Sequence, residues 1–105
     1  MSEAEDKTAS LLAALWLRNR PIIEERMTTL AVASTAAAAG PLKEEMRKEA
    51  QSSAHKLAGA LGMYGYDEGT RIARQLEQLL ESATPETARL SGLIAELRGT
   101  IFPNG

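Results

Sequence analysis

Apolar side chains recur along this chain at three- and four-residue intervals rather than at alternate positions, the spacing of a helix face rather than a strand face. Leu11, Leu12, Leu15 and Trp16 form the stripe of a first helix running from about Glu5 to Asn19. Pro21 lacks an N–H and disfavours helical geometry at Arg20, so it is expected to kink the helix or restart it. Beyond it, Ile22, Ile23, Met27, Leu30 and Ala33 or Ser34 carry a second stripe that fades through Ala36–Ala39 to Gly40. The next stripe is Leu42, Met46, Ala50, Ser53 or Ala54, Leu57, Leu61 and Tyr64. Pro41 suits its first turn, and Glu44 and Glu45 sit where the helix dipole favours acids. Gly65 can take the left-handed conformation that ends helices. Asp67 can then cap a helix carrying Ile72, Leu76, Leu79, Leu80 and Ala83. Thr84 caps a last one, with Pro85 at its first position, that carries Leu90, Leu93, Ile94, Leu97 and Ile101.

Short connections between amphipathic helices imply antiparallel neighbours. The expected fold is all-α: an antiparallel up-and-down four-helix bundle with a short or kinked N-terminal helix. It forms one domain over residues 1–105, with a helix at about 41–64 and its hairpin partner at about 67–83. Composition agrees with the pattern. Of the hydrophobic residues 18 are Ala and 14 are Leu, against five Ile, one Val and four aromatics, which is a helix former's inventory. A chain of 105 residues is also too short to divide into two adequate cores.

The same inventory removes several functions. With 12 basic against 14 acidic side chains there is no electrostatic footprint for nucleic acid or an anionic membrane, so neither is expected as a partner. The absence of Cys excludes disulfides, thiolate metal sites and Cys catalysis, and fits a reducing compartment. The bulky apolar stretch Leu11–Leu17 falls short of the roughly 20 residues a membrane span needs. No Lys/Arg-led signal peptide precedes it, so a cytoplasmic location is expected. Imidazole chemistry is confined to His55.

A helix turns about 100° per residue. With Leu57 at 0°, Ala50, Met46, Leu61 and Tyr64 fall within about 40° of it, while His55 lies at roughly 160°, away from the core. Its neighbours on that face are Lys48, Gln51, Ser52, Gly59 and Gly62. An exposed His is ordinarily one more solvated polar side chain. Gly59 and Gly62 argue otherwise, because each costs a helix about 1 kcal/mol relative to Ala and a surface face does not require it. Fraying near Gly65 accounts for Gly62 better than for Gly59. Missing side chains beside an imidazole give another macromolecule close access to it.

The run Ala54-His55-Lys56-Leu57-Ala58-Gly59-Ala60-Leu61-Gly62-Met63-Tyr64-Gly65 resembles the signature of histidine-containing phosphotransfer (HPt) domains. The matching positions are His55, Leu57, Gly59 and Gly65, and the helical layout from about Leu15 to Leu80 is similar to the family's. Trp16 through Glu25 resembles the N-terminal segment of one bacterial subgroup. The resemblance implies a phosphorelay intermediate in two-component signalling. His55 would accept a phosphoryl group from an aspartyl phosphate on one receiver domain of a response regulator and pass it to an Asp on another. Imidazole is substantially neutral near pH 7 and nucleophilic, which suits the role. Magnesium and the acidic pocket would belong to the receiver, so no cofactor or metal is expected in this chain. A hybrid histidine kinase is a further expected partner, and the chain itself is expected to be a monomeric carrier without an ATP site.

The family often has a Lys three residues after the His, to neutralise phosphoryl oxygens; here that position is Ala58. Lys56 and Lys48 are the available substitutes: Lys48 shares the His face, and Lys56 is about 100° round the helix. If the hairpin turns near Tyr66, Glu77 lies level with His55 and can accept a hydrogen bond from one ring nitrogen; Gln78 and Gln75 are alternatives. Gln51, Ser52, Gly59 and Gly62 would form the receiver-docking face. Arg71 and Arg74 read as surface, although Arg74 could approach a phosphoryl oxygen. A rival reading is a phosphate-independent helical adaptor that binds partners through Trp16 and the Ala-rich second helix. A histidine-kinase dimerisation domain fits less well, because Lys56 and Gly59 stand where that family has an acid and, a few residues on, a Pro.

Overall fold

A computed structural model describes residues 3–104. Met1, Ser2 and Gly105, included in the expected domain, lie outside the described residues. Four helices follow one another: α1 (Glu3–Ala39), α2 (Glu44–Met63), α3 (Asp67–Leu79) and α4 (Thr87–Ile101). No strand occurs among the described residues. They pack in ring order, α1 on α2, α2 on α3, α3 on α4 and α4 back on α1, which is the up-and-down bundle. Each contributes its apolar stripe to one core, in which Met27, Leu30, Leu57, Leu61, Ile72, Leu76, Leu90 and Leu97 are fully buried.

Two expectations about the N-terminal region are corrected. The helix neither stops nor restarts at Pro21; α1 runs through it for 37 residues. The missing N–H deprives only the carbonyl of Leu17, whose exposed position leaves water to satisfy it. Contacts on both sides of Pro21 hold the helix in phase. Trp16 packs against Tyr64, Tyr66 and Phe102 at ring separations of 5.0–5.8 Å, and the Arg20 guanidinium sits 4.7 Å above the Phe102 ring. Ile23 and Met27 are buried immediately beyond.

The stripe Leu11, Leu12 and Leu15, expected in the core, is exposed, as is Ile22. Length explains the first three. At about 1.5 Å per residue α1 is ~55 Å long and α2 only ~30 Å, and the molecule's longest dimension is 53 Å. The aromatic cluster around Trp16 closes the end of the bundle, and the leucines before it have no neighbouring helix to cover them. Trp16 is half-buried and Ala33 and Ala37 are buried, whereas Ala31, Ala38 and Ala39 of the same Ala-rich stretch are exposed.

The other boundaries shift by a few residues. α2 starts at Glu44 rather than at Pro41, and Tyr66, not Asp67, occupies the cap position of α3. α3 ends at Leu79 instead of about Ala83, and α4 begins at Thr87 with Glu86 as its cap, after rather than at Thr84 and Pro85. The intervening segment runs through turns and bends, is tied down by the Leu42 N–H, which donates to the Ala83 carbonyl at 2.8 Å, and buries Pro85. Gly65 takes φ +80°, the left-handed turn between α2 and α3.

Candidate functional site

The α2–α3 hairpin presents the site. Ala50, Ala54, Leu57, Ala58 and Leu61 of α2 are buried, as are Ile72, Ala73, Leu76 and Leu80 at the end of the hairpin's second arm. Three polar rungs fix one helix against the other beside this apolar seam. Thr70 Oγ1 donates to the Ala58 carbonyl (2.9 Å), Gln51 Nε2 to the Glu77 carbonyl (3.3 Å) and Arg47 Nη1 to the Leu80 carbonyl (2.8 Å). Arg47 is itself anchored by a two-pronged bond to Glu44, which raises its pKa from the ordinary value and lowers that of Glu44.

On this rigid base the His55 side chain is 73% exposed, and its Nδ1 lies 2.9 Å from Glu77 Oε2. A carboxylate only accepts, so this contact selects the tautomer with the proton on Nδ1 and a lone pair on Nε2. Glu77 is held in turn, because its backbone carbonyl receives the Gln51 amide. An open cleft of about 440 Å³ adjoins the imidazole, with Ala58 and Gly59 from α2, Arg74, Glu77 and Gln78 from α3, and Glu81 from the turn just after it. A Cβ added at Gly59 would meet nothing within 4 Å, and one at Gly62 would make only an ordinary 3.5 Å contact with Thr70 Oγ1. Neither glycine is demanded by internal packing.

The structure gathers His55, Glu77, Gln78 and Gly59 at one cleft and scatters the remaining candidates. Lys56 lies in a separate groove between α1 and α2, beside Ser52, Glu49, Glu25 and Arg26. Lys48 is exposed on α2 outside the cleft. Gln51 is half-buried, its amide engaged by Glu77 and Arg47. Gly62 is exposed one turn nearer the hairpin bend. Arg74, read from sequence as surface with a possible approach to a phosphoryl oxygen, lines the cleft, and Glu81 enters it without having been selected from sequence. The usable signal was the helical spacing 74, 77, 78, 81, which continues one face of α3 into the turn after it. Among the described residues no three His, Cys, Asp or Glu side chains are grouped to hold a metal, and no helix is long and apolar enough to cross a membrane.

Comparison with known proteins identifies a family. The family model described as Hpt domain matches residues 2–100. Among curated proteins, Protein RcaC of Microchaete diplosiphon is 33% identical over 79 residues, 75% of this chain. The match spans only 12% of that relative's length. No solved structure matches.

Proposed function

The chain belongs to the Hpt domain family, and from that premise we propose that it carries phosphoryl groups on His55 between Asp residues of response-regulator receiver domains. The observation that carries this reading is the His55–Glu77 pair: an exposed imidazole with its proton held at Nδ1 and its Nε2 free for attack. In the forward step the Nε2 lone pair forms the N–P bond while the P–O bond to the aspartyl carboxylate breaks, and the carboxylate leaves with the bonding electrons. The Nδ1 proton stays on the ring, and Glu77 faces the positive charge of the phosphoimidazolium. The return step is the reverse. Magnesium enters with the receiver, and a hybrid histidine kinase is a suitable origin for the phosphoryl group. In this reading the chain is a monomeric cytoplasmic carrier, not a kinase, and Gly59 with neighbouring Gln78 forms the ground on which a receiver sits.

The test is incubation with a panel of receiver domains charged by labelled acetyl phosphate. The native chain should gain an acid-labile, base-stable label, and His55→Gln should gain none while keeping its helical circular dichroism. No label on the native chain across the panel would favour a phosphate-independent adaptor. Undiminished label on His55→Gln would remove His55 from the role.

A further inference from the structure

We infer that Arg74 is the cation that receives the phosphoryl oxygens when His55 is phosphorylated. The inference rests on the phosphotransfer reading above and adds a residue to it. A phosphoryl group on Nε2 brings close to two negative charges into a cleft whose walls already carry the carboxylates of Glu77 and Glu81. Unbalanced, that arrangement opposes transfer to His55. Among the described residues Arg74 is the one cationic side chain lining the same cleft.

Two features of Arg74 make it available. Other arginines of the hairpin are engaged: Arg47 is bound to Glu44, Gln51 and the Leu80 carbonyl, and Arg71 to Glu68 and Glu96. Arg74 has no hydrogen bond or ion pair of its own among the described residues, and it is exposed on α3 one turn before Glu77 and Gln78. Ala58, with only a methyl group, and Gly59, with no side chain and open space around it, line the same cleft, so neither obstructs it. A planar guanidinium can then offer two parallel N–H donors to two phosphoryl oxygens, a geometry an ammonium does not match. Lys56, the nearest lysine in sequence, faces the groove on the opposite side of α2.

Phosphoramidate, a small donor needing no receiver, isolates this contribution. Nε2 attacks phosphorus, the P–N bond of the donor breaks and ammonia leaves with the electron pair, so His55 is phosphorylated without any docking surface. Arg74→Ala should take up phosphate about tenfold more slowly than the native chain, Arg74→Glu slower still, and Arg74→Lys should recover part of the rate. The native advantage should shrink as salt is raised, since the contact is exposed. Arg89→Ala, a charge-matched change on exposed α4, should leave the rate unchanged. On phosphorylation the Nε–H resonance of Arg74, assigned by its loss in Arg74→Ala, should shift. Equal rates for native, Arg74→Ala and Arg74→Glu would overturn the inference, as would an equal fall in Arg89→Ala or an unmoved Nε–H resonance. A native chain that takes no label from phosphoramidate would instead strike at the phosphotransfer reading and take this inference with it.

Discussion

Two grooves flank α2, and consecutive residues look into different ones. His55 faces α3 across a cleft with Glu77, Gln78, Glu81 and Arg74, while Lys56 faces α1 beside Glu25, Arg26, Glu49 and Ser52. The two grooves have comparable mixtures of acids and bases, so composition does not distinguish them. They differ in how their side chains are held. In the α3 groove a ring nitrogen is bonded to a carboxylate whose own backbone is tied to Gln51, and a glycine leaves the approach open. In the α1 groove no hydrogen bond joins Lys56 to its neighbours among the described residues. Preorganisation rather than charge inventory separates the two grooves.

The sharpest way to break this contrast is to remove the carboxylate that holds the ring. Glu77→Ala should slow phosphoryl uptake from a charged receiver roughly tenfold by freeing the tautomer, and Glu77→Gln, which still accepts from Nδ1, should lose less. Lys56→Ala in the other groove should change it by less than about twofold. Parallel single-turnover measurements decide; an equal loss in both grooves would dissolve the distinction. Next in size is access. Gly59→Glu should reduce transfer from a receiver severalfold while leaving phosphoramidate labelling intact, because in the proposed reading a receiver covers this surface and a small donor need not. Loss of both activities would mean damage to the ring itself.

Stability offers a smaller and independent comparison. Gly59→Ala meets open space and should stabilise the chain by about 0.5–1 kcal/mol through helix propensity. Gly69→Ala should not gain that much, since its Cβ would lie 3.1 Å from Leu61 Cδ1 in the core. Thermal melts of the two variants test whether Gly59 is kept for access rather than for packing. The smallest effect lies on the outer face of α3. The Arg71 hydrogen bond lowers the Glu68 pKa from its ordinary 4.5. A depressed acid contributes stability above its unfolded value and loses it as pH falls through the folded one. The difference in melting temperature between the native chain and Glu68→Gln should therefore be small at neutral pH and vanish well below pH 4.5.

Legibility followed how local each feature was. The outward placement of His55 needs only the helical repeat and the apolar partners Ala50, Leu57 and Leu61. Counting outward from a bend near Tyr66 puts Glu77 level with His55, and the two side chains meet at 2.9 Å, since the hairpin bend is short. Pro21 misled because its cost is local whereas the contacts that outweigh it, Trp16 and Arg20 with Phe102, join residues far apart in the chain. Leu11, Leu12 and Leu15 misled for the complementary reason: a good apolar stripe does not reveal whether a neighbouring helix is long enough to cover it.

By itself the sequence determined an all-helical chain, the α2–α3 hairpin and a lone imidazole turned away from the core, because periodicity and one glycine turn specify these over short distances. Only the tertiary structure decided that α1 passes through Pro21, that its first leucines stay uncovered, and that Arg74 rather than Lys56 shares the cleft of His55. Those outcomes depend on the relative lengths of helices and on which neighbour each face meets, quantities that arise only when the bundle closes.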